Sequence, residues 1–249
     1  MDEKQYINKN KDECVSYSSL IGKDFEKNIY EGAAEVYHIN YTKHLPEKDK
    51  LVLELGCSDG IFLKYLATNG FENITGVDLD ADAIGICRER LKKYNVGEAN
   101  IVHSDIFDYL KSVSSDSVPC IVMNDVIEHF PKEELLCILK EVYRVLENTG
   151  VFIAKTGNIE NPFNIGLFLR DFTHHIAFTM ISLESVLVNC GFSRDGIIVK
   201  PFEFSSRTLK QKMGFVSSFF MSSMIKLMAH MMRMSIKETC KLIFCIARK

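Results

Sequence analysis

Three short runs of this chain carry residue types that could grip a nucleoside. The first is Glu54-Leu55-Gly56-Cys57-Ser58-Asp59-Gly60, a glycine loop directly after an apolar run. Glycine between a strand and a helix lets the backbone come close to a bound nucleoside. A dinucleotide loop, G-x-G-x-x-G, counted from Gly56 needs glycine at 58 and 61, where Ser58 and Ile61 stand. The spacing is instead E/D-x-G-x-x-x-G. The second run ends at Asp78, 22 residues after Gly56. Two carboxylate oxygens there match the two hydroxyl donors of a ribose cis-diol. The third is Ser104-Asp105-Ile106-Phe107, an acceptor beside an apolar wall, which suits an adenine ring that donates from its amine and stacks on its faces. Taken singly, each run also reads as an ordinary turn or a polar loop after a strand. Their conjunction is what points to a nucleoside.

Histidine supplies the residues suited to proton transfer near neutral pH. His129 sits in IEHF, and His174 and His175 sit in RDFTHHIAFT (170–179). Each has a plainer reading: His129 as a cap for the following helix, and one of the pair 174/175 as a solvated side chain. Glu128 adjoins His129, but no further His or carboxylate stands at convincing ligand spacing in the chain. No required metal is therefore expected.

The elements that must position these residues alternate. LVLEL (51–55), NITGVD (73–78), ANIVHSD (99–105), SVPCIVMND (117–125) and VFIAKT (151–156) read as strands, as do IIVKPFEF (197–204) and LIFCIAR (242–248). Helices are expected over 31–44, 60–69, 80–94 with Asp80 as N-cap, from Pro131 at a first helical position to a stop at Gly150, and over 182–190 with Ser182 as cap. Leu135, Leu139, Val142 and Leu146 give the fourth of these its apolar stripe. Strands alternating with helices predict an α/β fold, a mainly parallel sheet with helices on both faces. Residues 1–45 are expected to be a helical, partly mobile segment and 46–249 the main domain, with a helical insertion at 205–238.

At this point the chain resembles the class I S-adenosylmethionine-dependent methyltransferases. ELGCSDG (54–60), GVDLD (76–80), HSDIFD (103–108) and VMNDVIEHFP (122–131) carry the resemblance, in the family's order and spacing, over about residues 51–200. It implies a Rossmann-like seven-stranded sheet of order 3-2-1-4-5-7-6 with the seventh strand antiparallel, and S-adenosylmethionine as cofactor. It further implies that Gly56, Cys57, Ser58 and Gly60 lie along the cofactor and that Asp78 binds the ribose. Leu79 and Ile106 then flank adenine, Asp105 meets its amine, and Glu54 and Asn124 lie near the methionine end. Ser58 in place of a middle glycine departs from the pattern and leaves less room at the loop.

The sulfonium is already a strong methyl donor, so the enzyme's task is alignment, exclusion of water and sometimes proton removal. His129, His174 and His175 are the candidate catalytic residues. The stretch DFTHHIAFT followed by SLESVL (182–187) is similar to bacterial methyltransferases associated with polysaccharide and cell-surface glycan synthesis, which implies O-methylation of a sugar-type hydroxyl. Methylation of a quinone-like lipophilic molecule and a non-catalytic S-adenosylmethionine-binding subunit stay open as alternatives.

Composition sets the outer bounds. The chain has 249 residues, 47% hydrophobic and 25% charged, an ordinary globular balance. Residues 1–199 hold 20 Lys/Arg against 31 Asp/Glu, and residues 200–249 hold 10 against 2. An acidic body argues against nucleic acid as a partner. Eight cysteines without C-x-x-C spacing and a polar N-terminus with no signal peptide suggest a reduced, cytoplasmic protein. The basic end contains SSRTLKQKMGFVSSFFMSSMIKLMAHMMRMSIK, with seven of the ten methionines. Ser218, Ser222, Lys226, His230, Arg233 and Lys237 are expected on one helix face with apolar residues covering the rest. Its longest uncharged stretch is too short for a membrane span of about 20 residues. Residues 207–237 therefore read as a surface for peripheral membrane contact at the inner face, or for a homodimer.

Overall fold

The computed structural model describes residues 26–94, 99–204 and 209–249. Helix α1 (Glu26–Tyr41) precedes β1 (Val52–Leu55), α2 (Ile61–Thr68), β2 (Ile74–Asp78), α3 (Ala81–Lys93), β3 (Asn100–His103), α4 (Ile106–Ser112) and β4 (Val118–Asn124). A 3₁₀ turn (Ile127–His129), α5 (Lys132–Val145), β5 (Leu146–Gly157), α6 (Asn164–Phe168), α7 (Met180–Asn189), β6 (Ile197–Pro201), α8 (Leu209–Met231) and β7 (Leu242–Arg248) complete the chain.

The seven strands form one sheet of order β3-β2-β1-β4-β5-β7-β6. β1 to β5 run parallel, and β7 is antiparallel to both β5 and β6. This is the expected topology, and its cause is visible in the side chains. Strand residues point alternately to opposite faces, and both faces here are apolar. Leu53, Leu55, Ile121 and Phe152 join α4, α5 and α7 on one side. Val52, Val122 and Ile153 join Tyr41, Phe62, Leu66, Ile84 and Leu91 from α1, α2 and α3 on the other. Strands covered on both faces read as continuous hydrophobic runs, as these do.

Several boundaries differ from the sequence expectation. α5 ends at Val145, not Gly150, because Leu146 takes extended dihedrals and pairs with Val118. Gly150 lies inside β5, where the pairing with β4 shifts register between Leu146 and Val151, and an added Cβ would lie 2.9 Å from the Glu147 carbonyl oxygen. Pro131 is the N-cap of α5 rather than its first residue. α7 starts at Met180, and its N-cap is Thr179. Ser182 is the third helical residue and completes a reciprocal capping box with Thr179, giving up the role of cap that was expected of it. Asp80 caps α3 as expected, accepting from the backbone N–H of Asp82 and Ala83. α8 ends at Met231, so Arg233 and Lys237 leave the face they were expected to share with Lys226. Arg233 has φ +58°, which no helix tolerates.

Candidate functional site

The carboxyl ends of β1 to β5 lie along one edge of the sheet, and the strand order reverses between β1 and β4. In open α/β sheets that point is where ligands bind. The chain leaves β1 through Gly56, at φ +76°, and enters α2 through Gly60, at φ +75°. A Cβ on Gly56 would stand 2.4 Å from Val126 Cγ2 and one on Gly60 2.4 Å from Cys87 Sγ, so both positions require glycine. Ser58 also takes a left-handed backbone, φ +45°. A non-glycine residue bears strain there, and such strain gathers at functional sites.

Asp78, at the end of β2, ties this loop down. Its Oδ2 accepts from the Ser58 N–H (2.7 Å) and its Oδ1 from the Asp80 N–H (2.9 Å). A carboxylate oxygen has two acceptor sites, so each keeps one for a ligand hydroxyl. Asp105 spends Oδ1 on capping α4 through the N–H of Phe107 and Asp108. Leu79 is exposed beside Asp78, whereas Ile106 is buried in the core. Cys57 is buried against the Gly76 position.

Beneath the loop runs a polar chain. The Tyr41 hydroxyl donates to Asn124 Oδ1, and Asn124 Nδ2 donates to Glu54 Oε1 (3.0 Å). Glu54 is 3% exposed, and its Oε2 has no partner. Burial pushes this carboxyl well above the usual range, against the pull of the Asn124 amide. An unpaired buried acceptor is rare and costly. The atom is suited to a cation, such as the ammonium of an amino acid moiety. Glycine approach, paired acceptors at Asp78 and an orphaned carboxylate oxygen together fit S-adenosylmethionine.

Beside this, past β4 and β5, lies a cavity of roughly 470 Å³. Glu128, His129, Thr156, Phe168, His174 and Phe178 line it. The backbone N–H groups of His175 and Ile176 both donate to the Glu128 carbonyl (2.8 and 3.1 Å), which folds the 171–176 segment over the 3₁₀ turn. Asn164 Nδ2 secures the far wall by donating to the carbonyls of Asn158 and Lys241. His129 and His174 meet edge to face, with ring centroids 4.6 Å apart.

Their protonation follows from their partners. The Thr173 hydroxyl donates to Asp171 Oδ1 (2.6 Å), so its oxygen accepts from His129 Nδ1 (2.8 Å). His174 Nδ1 lies 2.9 Å from the Phe168 carbonyl, which only accepts. In the neutral tautomer that these partners select, both rings carry the proton on Nδ1, and Nε2 is the nitrogen with the lone pair. Burial, then the neighbouring His174, hold the His129 imidazole below its ordinary range and so neutral. Burial raises Asp171 too, but the two Thr173 hydrogen bonds and the nearby histidines outweigh it and leave the carboxyl below its usual value. Glu128 is pushed up to about 8, by burial first and then by Asp125.

Of the residues singled out in the sequence, Gly56, Ser58, Gly60, Asp78 and Leu79 meet at the ends of β1 and β2, with Glu54 and Asn124 joined below. His129 and His174 meet in the cavity. His175 does not: its side chain is exposed and outside the lining. The neighbours Thr173 and Asp171 hold His129 instead, and their signal was the run D-F-T immediately before the two histidines. The third donor missing from the spacing beside Glu128 and His129 is His174, which arrives from 45 residues further on.

Comparisons with known proteins agree with this geometry. Residues 52–150 match the family model described as a methyltransferase domain. EEF1A lysine methyltransferase 2 of Mus musculus is 31% identical over 121 residues, covering 47% of this chain and 49% of that protein. Carboxy-S-adenosyl-L-methionine synthase of Glaesserella parasuis is 28% identical over 110 residues, 41% of this chain and 42% of that one. The chain spans about half or less of the length of the curated relatives it matches. Among solved structures, a SAM-dependent methyltransferase from Archaeoglobus fulgidus aligns with TM-score 0.66 at 21% identity, over 88% of this chain and 94% of that one. An O-methyltransferase-like protein from Nostoc punctiforme aligns with TM-score 0.58 at 17% identity, over 89% and 56%. The chain has the fold of the class I S-adenosylmethionine-dependent methyltransferases.

Proposed function

We propose that the chain transfers a methyl group to a hydroxyl of a small, sugar-type acceptor held in the cavity beside β4 and β5. The observation that carries this reading is the pair of imidazoles, His129 and His174, which line a cavity of roughly 470 Å³ with each Nδ1 already engaged. A volume of about 300–1,000 Å³ is that of a small-molecule site.

When bound, S-adenosylmethionine supplies a methyl group already activated by a sulfonium. Gly56 and Gly60 let the backbone lie against it, Asp78 takes the ribose hydroxyls, and Glu54 receives the ammonium. The Asp105 oxygen not used in the helix cap accepts from the adenine amine. The chain's remaining task is to bring an acceptor oxygen into line and ease the loss of its proton. Glu128, His129 and His174 do this at the cavity floor, with His129 oriented through Thr173 by Asp171. Phe168 and Phe178 offer apolar faces for a sugar ring. The matched relatives name acceptors as different as a lysine and a ribosomal protein. The segment that matches the family model, residues 52–150, holds the cofactor half, so the acceptor must be read from the cavity.

The test uses methyl-labelled cofactor with monosaccharide glycosides and nucleotide sugars. His129→Ala and His174→Ala are expected to lower turnover by about 10²–10⁴-fold while calorimetry with S-adenosylhomocysteine stays within twofold of wild type. Unchanged turnover in both variants overturns the assignment. Label transferred to a lysine side chain or a quinone, and to no sugar, overturns the acceptor class.

We also infer that α8 forms a contact with a second copy of the chain. Met213, Val216, Phe219, Phe220, Met224, Leu227 and Met228 are all exposed on it. Apolar surface of that extent marks an interaction site. Among the described side chains of α8 the sole Lys or Arg, Lys226, is paired with Glu238 at 3.2 Å. The described part of this face is apolar, which suits a second copy of the chain. No described helix is long and apolar enough to cross a membrane.

A further inference from the structure

A carboxyl group and two imidazoles come together in the lining of the cavity. One donor atom from each of Glu128, His129 and His174 lies within 4.8 Å of the other two, the one such group of His, Cys, Asp or Glu among the described residues. We propose that these three residues bind a divalent transition-metal cation.

The supporting shell is already built. A metal-ligating histidine donates its other ring N–H to a carbonyl or carboxylate, which fixes the tautomer and aims the free nitrogen. His174 does this through Nδ1 to the Phe168 carbonyl. His129 does it through Nδ1 to Thr173, whose hydroxyl passes the bond to Asp171. With Nδ1 of each ring engaged, Nε2 is the nitrogen left to each histidine for a metal.

Glu128 supplies the independent sign. It is 5% exposed, and its Oε2 finds no hydrogen-bond donor. A buried carboxyl oxygen without a hydrogen-bond partner costs free energy, and a cation that displaced the carboxyl proton would satisfy it. The Thr156 hydroxyl also neighbours the Glu128 carboxyl, but Oε2 is left without a partner, and the protons on Nδ1 of the two histidines are committed elsewhere. Ligand atoms about 2.1 Å from a cation stand about 3–3.5 Å apart, so the cluster closes by about an ångström, within the reach of side-chain rotation.

Two imidazoles and one carboxylate suit zinc, iron or manganese better than magnesium or calcium, which prefer oxygen throughout. Three protein ligands leave positions open towards the cavity. With the cation bound, the imidazoles would act through it and not as free bases: the cation would lower the pKa of an acceptor hydroxyl at neutral pH. Only this last consequence rests on the methyltransferase reading; the binding of the metal does not.

The experiment titrates metal-stripped full-length chain with Mn²⁺ and follows the free ion by electron paramagnetic resonance, a probe that avoids the thiolates. About one equivalent is expected to bind. Glu128→Gln and His174→Ala should each weaken it by at least about tenfold. Calorimetry with S-adenosylhomocysteine on the same samples should be unchanged, and it also shows that the variants are folded. No Mn²⁺ bound by the wild type, or equal binding in both variants, overturns the site. S-adenosylhomocysteine bound without Mn²⁺ would sink the metal and spare the methyltransferase reading. Mn²⁺ bound without S-adenosylhomocysteine would do the reverse.

Discussion

His129 Nδ1 and Thr173 Oγ1 lie 2.8 Å apart, joining residues 44 positions distant in the chain. The direction of this bond is settled by a third residue, because Thr173 has one hydroxyl hydrogen and Asp171 holds it. Thr173 is thus a positioning residue: it presents His129 Nε2 to the cavity without facing the acceptor itself.

Thr173→Val keeps the shape and removes the bond. His129 is then free to flip or change tautomer. Loss of such an outer partner lowers activity or metal affinity by about 10–100-fold. The expected outcome is a fall of that size in turnover, with S-adenosylhomocysteine affinity unchanged and thermal stability within a few degrees of wild type. Thr173→Ser restores the hydroxyl and should restore most of the rate. A Ser variant as impaired as the Val variant would show that the methyl group, and not the hydrogen bond, is what matters at this position.

The sheet and the cofactor half were legible in the sequence because both follow local rules. Alternating apolar runs and helical stripes dictate the order of elements, and the left-handed turns at Gly56 and Gly60 demand glycine where glycine stands. The acceptor half was not legible in the same way. Its ligands come from the 3₁₀ turn after β4 and from a loop after α6, and no periodicity ties positions 128 and 174. They meet because the Glu128 carbonyl accepts from two backbone N–H groups of that loop, a bond that any residue types could make. For the same reason His174 and His175 could not be told apart from residue type and spacing. Backbone direction alone sends one ring into the cavity and the other to solvent. The end of α5 was misplaced because Gly150 resembles a helix stop, while the actual stop is the strand pairing of Leu146 with Val118.

Glu54 should make the ligand-free protein less stable as the pH rises. Its folded pKa lies above its unfolded one, through burial. The folded state therefore holds a proton that the unfolded state releases. Stability from this group is complete below the ordinary carboxylate range and is lost as pH climbs towards the folded pKa, at up to about 1.4 kcal/mol per pH unit. Glu54→Gln imitates the protonated carboxyl and can still accept from Asn124. Thermal unfolding between pH 5 and 8 should show a flatter profile for the variant and a higher midpoint at pH 8. Calorimetry should show weaker binding of S-adenosylhomocysteine, because the ammonium loses its charged partner. A variant that is less stable than wild type at pH 8 would mean that Glu54 is ionised in the free protein.

The apolar face of α8 makes a claim about assembly. Phe219, Phe220, Met224 and Met228 lie within three helical turns and are each more than half exposed. Methionine adapts its shape to a facing surface, and burying such side chains yields about 25 cal/mol for each Å² of apolar area. Sedimentation velocity at micromolar concentration should show a dimer. Replacing Phe219, Phe220 and Met224 together by serine should give a monomer, with S-adenosylhomocysteine binding unchanged because the cofactor residues lie at the ends of β1 and β2. A wild-type chain that stays monomeric, or that sediments with anionic liposomes while the triple variant does not, would assign the face to a bilayer or to another protein and end the dimer proposal.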